Sequence, residues 1–357
     1  MANALGIKGI MGVAKQTAFR TALDATDRVP LLSEGIDFEY TDALHEYLHG
    51  SAGIPGMERL FEPVLGSVDM LVPYTVKNTT FVSASLPLAL GMGTCTWDAG
   101  QGSNRITFLD QLNVFGTFAW NKWKTAGDVM EAIGVFIKSF TLTATVDQPL
   151  KLTCEVIAYD LKRQAGTTVN QYSELTALAT DVPDLVLFRH FIFRVGNQAG
   201  VMADADRHGI ESFTLTVDNN LTDPEQSTID NTSSHTDPMH MIQPERNGFR
   251  TVTLEVVLPR YGDDTFFDHI TSEDDLQGDL LATHPSSSEE FDIIFPYLKL
   301  DDVKAPVEGP NALKQTLSFK ALERNSNSDM TFSDGSTTDV GEVWFETDDD
   351  RTADILA

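Results

Sequence analysis

Cysteine is scarce. The 357 residues hold only Cys95 and Cys154, too few for a disulfide framework and without the spacing of metal ligands, so both read as buried thiols. Positive charge is scarce too: Lys+Arg 25 against Asp+Glu 53 leaves a net charge of −28 at pH 7. Such a surface repels phosphate and argues against sequence-specific binding of DNA or RNA. No apolar run reaches the roughly 18 residues that suggest a membrane-spanning helix. Residues 1–15, with Gly6, Gly9 and Gly12 among small apolar groups, are too short and glycine-rich for a signal core. A chain made and used in an aqueous compartment is expected. At roughly 100–200 residues per domain the length suggests two domains, each large enough to bury a core. An Asp-rich composition with few lysines also resembles that of proteins adapted to high salt, and an acidic channel would give the same count.

What is plentiful is period-two alternation of Val, Ile, Phe, Thr and Leu, residues that suit a half-buried pleated surface. The fold class is therefore mainly β. Strands are predicted at 29–40, 66–74, 105–115, 137–146, 150–159, 185–195, 210–217, 249–258, 291–300 and 313–322. Helical patterns are few and short, at 81–90, 126–133 and 265–270, and read as caps lying against a sheet.

The two halves carry the same order of elements. Gly35-Ile36-Asp37-Phe38 aligns with Gly209-Ile210-Glu211-Ser212, and each strand is followed by a long irregular stretch, 43–65 or 223–247. Gly66-Ser67-Val68 then answers Gly248-Phe249-Arg250, and each strand leads into a short helix. Ile106-Thr107-Phe108 answers Ile293-Ile294-Phe295, and Ser139-Phe140-Thr141 answers Gln315-Thr316-Leu317. This order predicts a duplication: an N-terminal arm over 1–28, domains over 29–165 and 185–323, and an acidic C-terminal tail over 324–357. In that tail Trp344 and Phe345 are the strong apolar pair by which it could dock.

His45-Glu46-Tyr47-Leu48-His49 fits H-E-x-x-H, in which two imidazoles on one helix face hold zinc beside a glutamate base. A zinc-dependent peptidase is therefore an alternative reading. Against it, Gly50, Gly53, Pro55 and Gly56 cut the required helix short, no His follows at third-ligand spacing, and Glu58 and Glu62 come too early. Asp230, His235, Asp237 and His240 gather in a Ser/Thr/Asn/Pro-rich loop without rigid spacing and read as solvated. No G-x-S-x-G elbow places a serine nucleophile. Gly91-Met92-Gly93 and Gly100-Gln101-Gly102 lack the strand-to-helix context of a phosphate loop. No catalytic, cofactor or metal residue is assigned, and no enzymatic activity is expected. Asn78, Asn220 and Asn231 head glycosylation patterns whose use depends on the host.

Charge is unevenly spread. Between Asp263 and Asp302 twelve carboxylates meet the single base Lys299, whereas residues 1–30 hold Lys8, Lys15, Arg20 and Arg28 against Asp24 and Asp27. A basic end and an acidic body suit head-to-tail self-association.

The opening Gly12-Val13-Ala14-Lys15-Gln16-Thr17-Ala18-Phe19-Arg20-Thr21, followed by Val29-Pro30-Leu31-Leu32-Ser33-Glu34, resembles the start of tail tube proteins of long-tailed viruses. Ala14 and Arg20 stand where that pattern has glycines, and Gln16 where it has a glutamate. Ile210-Glu211-Ser212-Phe213-Thr214-Leu215-Thr216-Val217-Asp218-Asn219-Asn220-Leu221 is similar to a strand of the same family, and the similarity runs from about Gly12 to Glu323. The resemblance implies a siphovirus-like virion structural protein of two tandem β-sandwich tube domains, each with a short flanking helix. Sheets would join edge to edge around a ring, and rings would stack into a hollow tube through which viral DNA passes during ejection without specific binding. It further implies a homotrimeric ring with pseudo-sixfold symmetry, a homohexamer being the alternative. Tape-measure and tail-end proteins would be partners, no membrane would be involved, and the virion tail would be the location after assembly in the host cytoplasm. A carboxylate-lined lumen is expected, where phosphates find no cations to bind. Ring stacking is expected to use the long loops, through Ile54, Met57, Leu60 and Phe61 in the first and Met239, Met241 and Ile242 in the second. Lys8 and Lys15 would pair with acidic groups of the neighbouring ring. The remaining rival is a non-viral surface or secretion-tube β protein, which would show a signal peptide or stalk repeats.

Overall fold

Alternation along the chain becomes sheet because each strand can bury one row of side chains while its backbone groups pair sideways. The computed structural model describes residues 9–39, 41–44, 56–61, 63–74, 82–98, 102–110, 113–121, 129–163, 167–178, 184–198, 200–223, 241–262, 264–286, 289–307, 313–323, 330–331, 337–338, 341–348 and 354–356. Strand β1 (Ile10–Lys15) is followed by β2 (Asp27–Val29), β3 (Leu31–Glu34) and β4 (Asp37–Phe38). A hairpin of β5 (Thr41–Leu44) and β6 (Met57–Phe61) leads into β7 (Val64–Leu71). After helix α1 (Ser85–Met92) come β8 (Gly93–Asp98), β9 (Ser103–Phe108), β10 (Gly116–Asn121) and the 17-residue β11 (Val129–Thr145). Strands β12 (Lys151–Ala158) and β13 (Asp160–Lys162) and helix α2 (Tyr172–Ala177) end the first half.

The second half runs through β14 (Phe191–Asn197), β15 (Arg207–His208), β16 (Ser212–Asp218) and β17 (Thr251–Leu258) to helix α3 (Thr265–Ser272). Then follow β18 (Leu276–Thr283), the 15-residue β19 (Glu290–Lys304) and β20 (Gln315–Ala321). Strands β21 (Met330–Thr331) and β22 (Thr337–Thr338) pair with each other, and β23 (Trp344–Thr347) returns to the main sheet. Nineteen strands are linked by hydrogen bonds into one sheet system, so the fold is mainly β.

Where a strand has one buried face the alternation is clean. In β17, Val252, Leu254, Val256 and Leu258 point inward while Thr251 and Glu255 face solvent. Helix α1 lies on the buried side with all eight residues covered; Gly91 allows its close approach, since a Cβ there would sit 3.0 Å from the Phe140 ring. Burying each large aliphatic side chain in this layer contributes roughly 1.5–3 kcal/mol relative to exposure.

Three of the departures from the sequence expectation bear most on the core. Residues 126–133 were expected as a helix, yet from Val129 the chain is β11. Val129–Ile137 is buried on both faces apart from Met130, which erases the period of two and leaves an apolar run that also fits a helix. Gly134, at φ 62°, sits where a Cβ would lie 2.6 Å from the Phe19 carbonyl oxygen, and β11 changes partners around it. Ile10–Lys15, expected within an arm, forms β1 and pairs with β10 and β2. Trp344 and Phe345, expected in a flexible tail, are buried in β23, which lies between β19 and β9.

The halves repeat each other in ladder register. On β10 and β11, Gly116 faces Val135 and Phe118 faces Ala132, with a bulge between; on β18 and β19, Leu276 faces Leu298 and Gly278 faces Phe295, again with a bulge between. Strand β11 bulges against β12 between Ile137 and Ser139, and β19 against β20 between Leu300 and Asp302. Lys138 and Asp301 thus hold equivalent places. The same correspondence lays Asp27-Arg28 on Asp206-Arg207 and Ser33 on Ser212. It therefore displaces the sequence alignment of the first strands by five residues, putting Gly35 on Thr214, and that of the next strands by six, putting Gly66 on Leu254, and it matches β11 with β19 and β12 with β20. An odd displacement exchanges the two faces of a strand, which explains why buried Ile36 belongs with buried Leu215 and not with Ile210. The halves meet in one joint: β11 pairs with β16 from Ser139 opposite Asp218 to Thr145 opposite Ser212. One hydrophobic cluster runs from Met11 to Leu356 across it.

Buried carboxylates inside this system differ in how they are satisfied. Glu131 accepts hydrogen bonds from the Asn170 backbone N and side-chain Nδ2, both at 2.8 Å, and from the Val169 N at 3.1 Å. Asp292 in β19 is buried too, but its Oδ1 has no partner among the described residues. Burial, and then the nearby charges of Glu290, Glu346, Asp279 and Asp348, push its carboxyl well above the ordinary range. A raised folded value means that stability from protonated Asp292 is present in full below the unfolded value and is lost as pH rises through the folded one. Asp292→Asn is expected to melt at a higher temperature than the parent at pH 8, with the gain vanishing below about pH 4. Thermal melts of both proteins across that range check this, and an equal or lower melting temperature for the variant at pH 8 contradicts it.

Candidate functional site

Of the sequence-derived chemical candidates, His45, Glu46 and His49 lie outside the described residues, as do Asp230, His235, Asp237 and His240. Among the described residues no group of three or more His, Cys, Asp and Glu could hold a metal ion. Cys95 and Cys154 are buried, and burial pushes the Cys154 thiol far up. One polar aromatic cluster joins the halves: the Tyr74 hydroxyl meets His190 Nδ1 at 3.0 Å, and His284 Nε2 meets the Asp184 carboxylate at 3.0 Å. Burial raises the Tyr74 phenol and lowers the His190 imidazole. Both shifts favour the neutral forms, which suits a clasp better than a proton relay.

The surfaces that stand out are geometrical. The first is a pair of long hairpins in the same slot of each half. The ladder of β4 with β7, Asp37 opposite Leu65, runs on into β5 and β6 with Thr41 opposite Phe61. In the second half the ladder of β16 with β17 runs on through a bridge of Leu221 with Arg246, and the Thr222 N donates to the Glu245 carbonyl at 2.8 Å. Met57 and Leu44 on the first hairpin are 59% and 49% exposed. At the root of the second, Phe249 is 95% exposed. The register that lays Ser67 on Glu255 also lays Phe61 on Phe249, so the two phenylalanines hold equivalent places. Sequence reading passed over Phe249 because it took this residue for the first of a strand; the corrected register is the signal that would have found it.

The expected stacking residues divide. Met57 is exposed and Ile242 is 38% exposed, but Met241 is fully buried in the chain's own interior and offers nothing to a neighbour. Leu60 and Phe61 lie on β6. Lys15 donates its Nζ to the Leu356 carbonyl. Ile54, Met239 and Lys8 lie outside the described residues.

The second surface is a pair of sheet edges. Among the described residues β3 and β4 pair only with β7. Beyond Leu298, β19 pairs only with β20. The third is the bare face of the sheet formed by β3–β4, β7, β12, β11, β16, β17, β20 and β19, opposite the face that α1 covers. Across it Asp69, Thr153, Thr141, Thr216 and Thr253 are successive cross-strand neighbours. Burial works to raise the Asp69 carboxyl, but hydrogen bonds from Thr153 at 2.7 Å and Ser33 at 2.9 Å, with Lys151 at 3.0 Å, outweigh it and hold the group below the ordinary range.

Long edges, exposed apolar hairpins and a polar bare face are what a subunit of a larger β assembly presents before its neighbours arrive. No curated protein matches the sequence. A family model described as phage tail tube protein matches residues 37–321, a span that runs from β4 to β20 and takes in the internal joint and both hairpins. The chain therefore belongs to the phage tail tube protein family, and its role is that of a structural protein of the virion tail, assembling into the tail tube.

Proposed function

We propose that this chain is a tandem tail tube subunit of a long-tailed, siphovirus-like virus, three copies of which close into a ring with pseudo-sixfold symmetry. Rings stack into a hollow tube, built in the host cytoplasm together with tape-measure and tail-end proteins, through which viral DNA passes during ejection. The observation that carries this reading is the joint between β11 and β16. In register terms β19 is the counterpart of β11, and β3–β4 is the counterpart of β16. Each half therefore owns both sides of the same joint, but only one joint is made inside the chain. The remaining edges lie at opposite ends of the sheet, so a second copy must supply the missing strand. Head-to-tail contacts of this kind form rings when the rotation closes. Three chains give six joints, alternately within and between copies; a homohexamer is the alternative closure.

The same correspondence gives the register of the joint between copies. Lys304 takes the place of Thr141 and Asp37 that of Thr216, so Lys304 of one copy faces Asp37 of the next where the internal joint has two hydroxyls 3.4 Å apart. The charges are opposite, and both side chains are about two-thirds exposed in the single chain. Cysteines at directly opposed antiparallel positions lie within disulfide reach. Mild oxidation of Asp37→Cys/Lys304→Cys is expected to give a covalent ladder that ends at three chains on a non-reducing gel. A ladder ending at six supports the hexamer, and a protein that stays monomeric contradicts the joint.

Stacking falls to the hairpins. Met57, Leu44, Phe249 and Ile242 are exposed apolar groups there, joined in this reading by Ile54, Leu60, Phe61 and Met239. Since Lys15 is engaged by Leu356, Lys8 is left to meet the acidic neighbour ring. Replacing Ile54, Leu60 and Phe61 by serine is expected to leave far-UV circular dichroism unchanged and to abolish tube growth. Phe249→Ser alone should weaken growth, since burying one phenylalanine contributes roughly 1.5–3 kcal/mol. Normal polymerisation of the triple variant in electron micrographs would remove the stacking role.

A further inference from the structure

We infer that the channel wall of the assembled tube is a nearly charge-balanced band of hydroxyls, which a double-stranded polyanion passes on a layer of water. This inference rests on the ring reading above. The sheet that carries the joints has two unlike faces. One is packed under α1 and continuous with the main hydrophobic cluster; no described helix or strand lies over the other. With about eight strands from each chain, three chains joined through the edges make a closed barrel of roughly two dozen strands, a size that leaves an aqueous channel. The helix and core layer belongs outside such a barrel, so the bare face turns inward.

That face is rich in threonine. The row Thr153, Thr141, Thr216 and Thr253 crosses both halves without interruption, and Thr143 opposite Thr214 lies in the next row. Most of the carboxylates on it are tied down, with Glu255 and Asp218 the exposed exceptions. Asp69 is held by Lys151 and Thr153, Glu155 accepts from Ser139 at 2.9 Å, and Lys304 sits 2.6 Å from Asp302 and holds its carboxyl below the ordinary range. Lys320 pairs with Asp301 at 2.8 Å. The acidic excess is displayed elsewhere, for example by exposed Asp264, Asp268, Glu273 and Asp275 around α3. A carboxylate wall, as the net charge alone suggests, is therefore not what this face offers.

Threonine suits the task on two counts. Its β-branched side chain fits a pleated surface. Its hydroxyl both donates and accepts, so it holds water without presenting the cations whose contacts with phosphates release counterions and create grip. Water-bridged contacts of this kind are individually exchangeable.

Thr216→Cys, with the native thiols buried, tests both the position and the charge of the wall in assembled tubes. A small thiol reagent is expected to label the site in tubes, while a maleimide carried on a globular protein labels it only after the tubes are dissociated. The ratio of rates for cationic and anionic methanethiosulfonates in tubes should stay within about twofold of the ratio in the dissociated chain. Tubes that form but admit the protein-borne reagent place this face outside and overturn the inference while leaving the tube reading intact. Protection combined with a roughly tenfold preference for the cationic reagent restores the carboxylate wall. Failure of the unsubstituted chain to form rings or tubes under any condition removes both readings together.

Discussion

A β-strand carries one donor and one acceptor at each residue, and a sheet that stops leaves a row of them unmatched. The architecture of this chain is a response to that constraint. Within the chain the edge problem is solved once, where β11 receives β16 over seven residue pairs. It is left open twice, at β3–β4 and at the far end of β19. The two open edges repeat the closed one in register, so the chain carries within itself a template of the contact proposed between copies. Everything else arranges itself around that sheet: the helix and hydrophobic cluster on one side, the polar face on the other, the hairpins as extensions of its ladders.

Repetition of the backbone has not meant repetition of the filling. Gly12 on β1 faces Ala119 on β10, and α2 packs over them; a Cβ on Gly12 would lie 2.8 Å from Leu178 and 2.9 Å from Leu175. In the second half the equivalent pair is Arg194 on β14 and Asp279 on β18. There the space is occupied by a buried ion pair, with Arg194 Nε 3.0 Å from the Asp279 carboxylate. A small-residue pair under a helix and a bidentate ion pair are two ways of closing one site. The second adds little net stability, because desolvation offsets much of the attraction, but losing either partner would leave a buried charge alone.

What could be read in the sequence was whatever depends on one face being wet. Strands such as β12, β16, β17 and β20 alternate cleanly and were legible, as was α3, whereas the later pairings between the halves were not, since β11 answers β19 and not β20. Legibility failed where both faces are dry. The first part of β11 reads as a helix because burial on both sides removes the period, and β18 hides within a segment whose acids drew attention to charge. Register was the other loss. An alternating sequence aligns with itself at many shifts, and two glycines at Gly35 and Gly209 drew the alignment five residues off. Gly66 and Gly248 drew the next strand six residues off, which matched Phe249 with Ser67 and not with Phe61, and Met241 was assigned to the surface although its side chain is interior. The tail-tube resemblance in the sequence, by contrast, agreed with the family that residues 37–321 match.

The joint between β11 and β16 also changes the kinetics of building. Had the two repeats been separate chains, each such contact would have had to form by collision. Tethered in one polypeptide, the partners meet at an effective concentration in the millimolar range or above, so half the contacts of the proposed ring are made during folding. In the proposed trimeric ring, closure is then a meeting of three bodies instead of six, with a correspondingly shallower dependence on protein concentration. The link also frees the two kinds of contact to diverge: hydroxyls meet at Thr141 and Thr216 where the tether guarantees the meeting, and the proposed joint sets opposite charges, Lys304 and Asp37, where two molecules must find each other.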